Sequence, residues 1–107
     1  MNETYANKRT VPRYNLIATA AIVEPVSEMK IAGRISEISR KGCYVDVLNT
    51  LPVGTPIRLE VSRDKGIFKS DGKIIYVQES VGMGVAFAET PDDQLMILDS
   101  WLAELHG

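Results

Sequence analysis

Two arginines near the N-terminus are the first residues suited to binding chemistry. Arg9 and Arg13 lie four positions apart, and Pro12 between them biases Val11 towards an extended backbone, so a helical pair is disfavoured. A guanidinium group offers a planar fork of donors to phosphate and a flat face to aromatic rings. The pair suits a ligand that combines phosphates with planar bases, with Lys8 as a candidate accessory cation. A solvated basic tail would have the same composition.

The second such segment is Glu37–Gly42, which joins two predicted strands. Strict alternation after Ile35 would bury Glu37, yet the next apolar residue is Ile38. We therefore predict a change of register near Glu37 that turns its carboxylate and Ser39 to solvent, where they can bond a base edge. Gly42 permits the positive φ that a tight return requires. Taken by itself, the segment is equally compatible with an ordinary hairpin turn.

The elements that must position these residues are strands. Apolar and polar residues alternate in six segments separated by Pro, Gly or Asp turns, which is typical of short antiparallel strands. The segments are 15–24, 29–36, 43–47, 57–61, 67–77 and 83–87. Six strands around one core would leave exposed edges unless the sheet closes, so we expect an antiparallel β-barrel.

A helix is expected to follow the barrel. Thr90 is the predicted N-cap, Pro91 the first helical residue, and leucines then recur at helical spacing beside Trp101, giving a helix over about 91–105. Residues 1–14 lack apolar periodicity. The expected organisation is a flexible arm over 1–14 that carries both arginines, and a barrel with its terminal helix over 15–107.

Composition narrows the function classes. The net charge of −2 disfavours a general nucleic-acid binder. Cys43 and His106 are the single cysteine and the single histidine. The sequence therefore contains neither a catalytic pair of nucleophile and general base nor a metal-ligand motif. We therefore expect no enzyme, no metal and no cofactor. Without a run of about 20 apolar residues we expect no membrane insertion, and the reduced, buried Cys43 favours the cytoplasm.

Together these segments resemble the PilZ domain family, whose signature is RxxxR followed further along by (D/N)xSxxG. The late stretch 82–87, Gly-Met-Gly-Val-Ala-Phe, also looks like the family. The resemblance implies a bacterial receptor for cyclic di-GMP, which has two guanines and two phosphates. Arg9 and Arg13 would bind phosphate and would stack on guanine or donate hydrogen bonds to it. Ser39 would contact the ligand, and Gly42 would maintain the conformation of the turn.

Further expectations go beyond the family signature, and the first of them rests on side-chain chemistry alone. Arg34 and Arg40 are candidate accessory contacts. Glu37 stands where the signature has Asp or Asn, and its longer side chain displaces the oxygens, so we expect weaker binding. We expect ligand binding to order the arm and to create a surface that a partner protein recognises.

Two alternatives remain from the sequence. One is a PilZ-like adaptor that has lost nucleotide binding and acts through protein contacts, for which Glu37 is the main support. The other is an RNA-binding barrel with Tyr5, Tyr14 and Tyr44 as stacking residues. The net negative charge of the chain disfavours the RNA-binding barrel.

Overall fold

Six antiparallel strands close into a barrel. A computed structural model describes residues 11–106. The strands run in the order β1-β2-β3-β6-β5-β4, and β1 also pairs with β4 to complete the ring. Their bounds are Arg13–Glu24 for β1, Met29–Ser39 for β2, Gly42–Asp46 for β3, Pro56–Arg63 for β4, Gly66–Gln78 for β5 and Gly82–Phe87 for β6. The predicted six-stranded barrel is confirmed.

Alternation of buried and exposed side chains fills the barrel. In β1, Leu16, Ala18, Ala20 and Ile22 are buried, while the residues between them face outwards. The interior also takes large side chains from the other strands, with Phe68 fully buried on β5. Because one face of every strand packs on this core, a slip by one residue would expose it, and the register is therefore strongly specified.

The first two strands are longer than the sequence pattern suggested. β1 begins at Arg13, two residues before the predicted start at Asn15, and β2 continues to Ser39. In the ladder between them Arg13 lies directly opposite Ser39. Backbone pairing therefore joins the end of the predicted arm to the Glu37–Gly42 segment.

Helix α1, Asp92–His106, packs on the barrel against β5 and β1. Leu98 and Trp101 are its buried residues. The Trp101 ring lies edge-on to Phe68, with 6.4 Å between ring centroids, and the Arg63 guanidinium lies 5.9 Å from the Trp101 centroid. The predicted helix over about 91–105 is displaced by one residue.

The helix start differs from the capping arrangement predicted for Thr90. The Pro91 carbonyl accepts the first helical hydrogen bond from the Leu95 N–H, at 2.9 Å, so Pro91 occupies the N-cap position. The Thr90 hydroxyl lies 2.6 Å from the Ser70 hydroxyl. The Gln94 side chain accepts a hydrogen bond from the Lys69 N–H on β5 at 2.7 Å. Thr90 therefore ties the helix start to the barrel and does not cap it.

Neither a membrane-spanning helix nor a metal-binding cluster occurs between residues 11 and 106. The helix in that range is too short and too polar to cross a bilayer. No three His, Cys, Asp or Glu side chains there are arranged to hold a metal ion.

Helix docking should account for a measurable part of the stability. We expect Leu98→Ala to lower the free energy of unfolding by about 2–5 kcal/mol, because Leu98 is fully buried and truncation leaves a cavity. Met96→Ala is the matched control, since Met96 is 73% exposed on the same helix and should change stability by less than about 0.5 kcal/mol. Urea unfolding of both variants makes the comparison. Equal losses would contradict the packing described.

Candidate functional site

A groove of about 670 Å³ lies on the barrel surface, with walls from β1, β2, β3, β5 and β6. Its volume is in the range of small-molecule sites. Among the predicted ligand-binding residues, four line it: Arg13, Glu37, Ser39 and Gly42. The fifth, Arg9, and the accessory Lys8 lie outside the described residues.

Arg13 and Glu37 form the charged part of the groove. Their side chains make an ion pair with 3.2 Å between Arg13 Nη1 and Glu37 Oε1. The pair remains open to water, since the two side chains are 39% and 40% exposed. A donor fork and a carboxylate are thus presented together to anything that enters the groove.

The predicted change of register near Glu37 is present. Between Ile35 and Glu37 the pairing of β2 with β3 shifts, because Ile35 lies opposite Val45 while Glu37 lies opposite Tyr44. Ile35 and Ile38 are both buried although they are three residues apart. The extra residue lets Glu37 face the groove while the isoleucines stay in the core.

Ser39 organises the turn that ends the groove. Its hydroxyl oxygen accepts hydrogen bonds from the N–H groups of Lys41 at 3.1 Å and Gly42 at 3.2 Å. The hydroxyl donates to the Gly42 carbonyl at 3.3 Å. These bonds fix the turn that follows Glu37, and the predicted contact of Ser39 with a ligand stays a prediction.

Gly42 is needed for a reason other than the predicted positive φ. Its φ is not positive, and among the glycines in the described range only Gly54 has such a conformation. A Cβ atom at Gly42 would overlap the Val85 carbonyl oxygen of β6. Close approach of two backbones therefore requires glycine here.

The apolar wall of the groove was not predicted. Ile75 and Tyr76 of β5 line it and are 56% and 52% exposed. The pairing of β5 with β6 shifts between Ile74 and Tyr76, so Ile74 is buried while both following residues face outwards. The signal in the sequence was the run Ile74–Val77, in which apolar residues do not alternate with polar ones.

Burial sets the titration behaviour of two further groove residues. It raises the pKa of the Cys43 thiol to about 12, which keeps the thiol protonated and unreactive. Burial also raises the pKa of the Tyr44 hydroxyl, with smaller contributions from Tyr76 and Asp46. The Tyr44 hydroxyl donates to Gln78 Oε1 at 2.5 Å, which fixes the ring.

The remaining accessory candidates do not line the groove. Arg34 lies opposite Asp46 in the β2 and β3 ladder. Arg40 forms an ion pair with Asp99 of α1, with 2.8 Å between Nε and Oδ1. Their roles as ligand contacts stay predictions.

The closed barrel, the terminal helix and the groove that contains the Arg13 and Glu37 pair together define the class of domain. A family model described as the PilZ domain matches residues 7–104. The chain belongs to the PilZ domain family. No curated protein sequence matches the chain.

Solved structures share this fold at low sequence identity. The PilZ domain of YcgR from Escherichia coli, solved with c-di-GMP, has a TM-score of 0.78 at 14% identity and a match covering 92% of each chain. The Bacillus subtilis inhibitor of motility MotI has a TM-score of 0.76 at 15% identity over 90% of this chain, which spans 50% of that protein. The PilZ domain of CeSA from a cellulose-synthesizing bacterium has a TM-score of 0.69 at 14% identity, covering 90% of this chain and 99% of that domain.

Replacing Gly42 should disturb the turn and the strand beside it. We expect Gly42→Ala to lower the free energy of unfolding by about 1–3 kcal/mol, because the new methyl group must push β3 away from the Val85 carbonyl. Lys41→Ala, at the exposed preceding position, is the control. Urea unfolding gives the stabilities, and amide chemical shifts of Val85 and Ala86 report the strand movement. An unchanged stability with unchanged shifts would contradict the close approach.

Proposed function

We propose that this PilZ domain is a receptor for cyclic di-GMP, which it binds in the groove between the N-terminal arginines and the Glu37–Gly42 turn. The observation that carries the proposal is that Arg13 and Glu37, 24 residues apart in sequence, line one groove with Ser39. Family membership and the fold shared with a YcgR domain solved with c-di-GMP support the same ligand.

Each polar residue has a role that follows from its chemistry. Arg9 and Arg13 neutralise the phosphates, and their guanidinium planes can also meet a guanine face. The Glu37 carboxylate accepts the two N–H groups on the Watson–Crick edge of a guanine. Ser39 and Gly42 hold the turn, and Ser39 contacts the ligand. Lys8, Arg34 and Arg40 contribute accessory positive charge.

The ion pair between Arg13 and Glu37 is only a small obstacle to ligand binding. An exposed pair of this kind is worth about 0.2–1 kcal/mol. Separating it would therefore weaken binding by about fivefold at most. A phosphate that replaces the carboxylate on Arg13, together with a guanine edge on Glu37, offsets that loss because both new hydrogen bonds involve charged groups.

In this proposal, the receptor signals through a change in the conformation of its N-terminal arm. The dinucleotide bridges the part of the arm that precedes β1 to the Glu37–Gly42 turn, and the ordered arm forms a surface for a downstream protein. The domain acts as a receptor in the bacterial cytoplasm and not as an enzyme.

Removal of the arginines tests the ligand and the site together. We expect wild type to give heat on calorimetric titration with cyclic di-GMP, and Arg9→Ala or Arg13→Ala to weaken binding by about ten- to a hundredfold through loss of a charge-assisted bond. Arg58→Ala removes an exposed arginine that does not line the groove and should bind like wild type. Absence of heat and of shifted resonances for wild type at high ligand concentration would exclude the receptor.

The length of the residue 37 side chain should set the affinity. We expect Glu37→Asp to strengthen cyclic di-GMP binding by about one to two decades, because the shorter carboxylate matches the family signature and has one fewer rotatable bond. Glu60→Asp makes the same change at a carboxylate that does not line the groove and should have no effect. The same titration measures both, and weaker binding by Glu37→Asp would refute this account.

The adaptor is the second candidate, and the ion pair favours it because Arg13 and Glu37 satisfy each other without a ligand. An adaptor would purify with the same protein partner regardless of cyclic di-GMP and of substitutions at either arginine. A receptor would bind that partner only with the dinucleotide. Salt-sensitive binding to generic oligonucleotides would instead favour an RNA-binding barrel.

A further inference from the structure

A second groove, of about 570 Å³, lies away from the candidate functional site. Its floor is the outer face of β1, β2, β4 and β5, and its wall is the segment 89–94, which leads into α1. We call it the β4 groove. Within residues 11–106, no residue lines both this groove and the groove of Arg13 and Glu37. The two grooves are therefore separate sites on the barrel.

The wall of the β4 groove is fixed to the barrel by hydrogen bonds. The Ala88 N–H donates to the Asp71 carbonyl at 2.8 Å, just before the wall begins. At the other end of the wall, the Gln94 side chain accepts a hydrogen bond from the Lys69 N–H at 2.7 Å. The groove is therefore preformed and needs no partner to assemble it.

One row of directly opposite residues crosses the floor of the groove. Lys30 of β2 lies opposite Val23 of β1, and Val23 lies opposite Arg58 of β4. Arg58 in turn lies opposite Asp71 of β5. Residues paired in this way point to the same face of a sheet, and all four line the groove. The row therefore begins with two cations and ends with a carboxylate.

The wall adds two more carboxylates beside Asp71, since Glu89 and Asp93 also line the groove and are exposed. The groove thus has a basic end and an acidic end. Between them Lys69 and Glu60 form an ion pair, with 3.6 Å between Nζ and Oε2. The charged residues at the two ends take part in none of the ion pairs within residues 11–106.

The separation of the two ends determines what kind of partner fits. Neighbouring strands lie about 4.8 Å apart, so the three steps from β2 to β5 amount to roughly 14 Å. This exceeds the Debye length of about 8 Å at physiological salt, so each end acts on a partner separately. A uniformly acidic or uniformly basic partner would be attracted at one end and repelled at the other. A second copy of the chain, turned about a two-fold axis, brings opposite ends together on both sides.

We propose that the β4 groove is a self-association surface through which two copies of this chain pack face to face about a two-fold axis. Arg58 of one copy then lies against Asp71 of the second copy, and Lys30 lies against Glu89. The same two contacts occur again with the roles of the copies exchanged. This association does not depend on any ligand of the other groove.

The region between the two ends suits close packing. It is lined by the short apolar side chains of Ala21 and Val23 on β1 and by Pro91 on the wall. Ala21 and Pro91 are exposed, and Val23 is half-buried. An apolar centre with charged groups around it is the usual arrangement of a protein–protein interface.

Sedimentation equilibrium of the full chain without added nucleotide tests the association. We expect a monomer–dimer equilibrium at low salt and weaker association at about 1 M salt, where the Debye length falls to about 3 Å. Wild type that stays monomeric at millimolar protein concentration and low salt overturns the proposal.

Charge reversal identifies the surface. Lys30→Glu with Arg58→Glu reverses the basic end, and Asp71→Lys with Glu89→Lys reverses the acidic end. Either double variant alone should associate at least about tenfold more weakly than wild type, because like charges then meet at both contacts. A mixture of the two should form heterodimers, since opposite charges again face each other at both contacts.

The matched control is Lys65→Glu with Lys73→Glu, which makes the same change in net charge at exposed positions outside the β4 groove. This control should associate like wild type. Its mixture with the variant reversed at Asp71 and Glu89 has the same net charges as the heterodimer mixture but lacks complementary ends. It should therefore associate at least about tenfold more weakly than that mixture.

Circular dichroism confirms that the variants fold. If reversal of the basic end prevents folding, Arg58→Gln removes one charge without reversing it and should still weaken association. Association as tight as in wild type by a folded variant at either end overturns the proposal. A heterodimer mixture that stays monomeric, or that associates no better than the control mixture, overturns it as well.

Discussion

The spacing of two buried isoleucines in β2 determines where the polar groups of the site lie. Ile35 and Ile38 both belong to the core, although strict alternation would have buried residue 37 between them. An ionised carboxylate in that position would lose its hydration at a cost of several kcal/mol. The extra residue in β2 removes this conflict. Glu37 then lies opposite Asn15 in the β1 and β2 ladder, and its carboxylate pairs diagonally with Arg13. The groove depends on this irregularity of the sheet.

The sequence was informative wherever a residue's own chemistry implied its environment. Alternation predicted six strands, and the misplaced Ile38 predicted the register change near Glu37. The role of Gly42 was predicted wrongly, because a close approach to Val85 depends on strand β6, more than forty residues further along. The contact between the Tyr44 and Tyr76 rings, whose centroids are 6.4 Å apart, was missed for the same reason. Cross-strand neighbours depend on pairings that no local pattern encodes.

The same distinction explains Thr90. Its type and position beside Pro91 suit an N-cap, and nothing local disfavours that role. In the fold its hydroxyl lies 2.6 Å from the hydroxyl of Ser70, the one polar residue among those buried in the described range. The Ser70 hydroxyl also donates a hydrogen bond to the Asp71 carbonyl at 2.8 Å, so Ser70 connects Thr90 to the β5 backbone. A hydrogen bond between two neutral groups contributes about 0.5–1.5 kcal/mol, comparable to the loss of a cap. The tertiary contact therefore replaces the local one.

The contacts of helix α1 bear on which part of the domain responds to a ligand. Two residues that directly follow site residues in the sequence contact the helix. The Tyr14 hydroxyl lies 3.1 Å from His106 Nδ1, and Arg40 forms an ion pair with Asp99. Both contacts are exposed, and an exposed ion pair contributes about 0.2–1 kcal/mol. Burial of Leu98 and Trp101 contributes several times more to docking. A ligand that disturbed only Tyr14 and Arg40 would leave the helix in place. Burial of Leu98 and Trp101 therefore keeps the helix docked on the barrel, and under the proposed receptor function the response to a ligand at Arg13 lies in the segment that precedes β1.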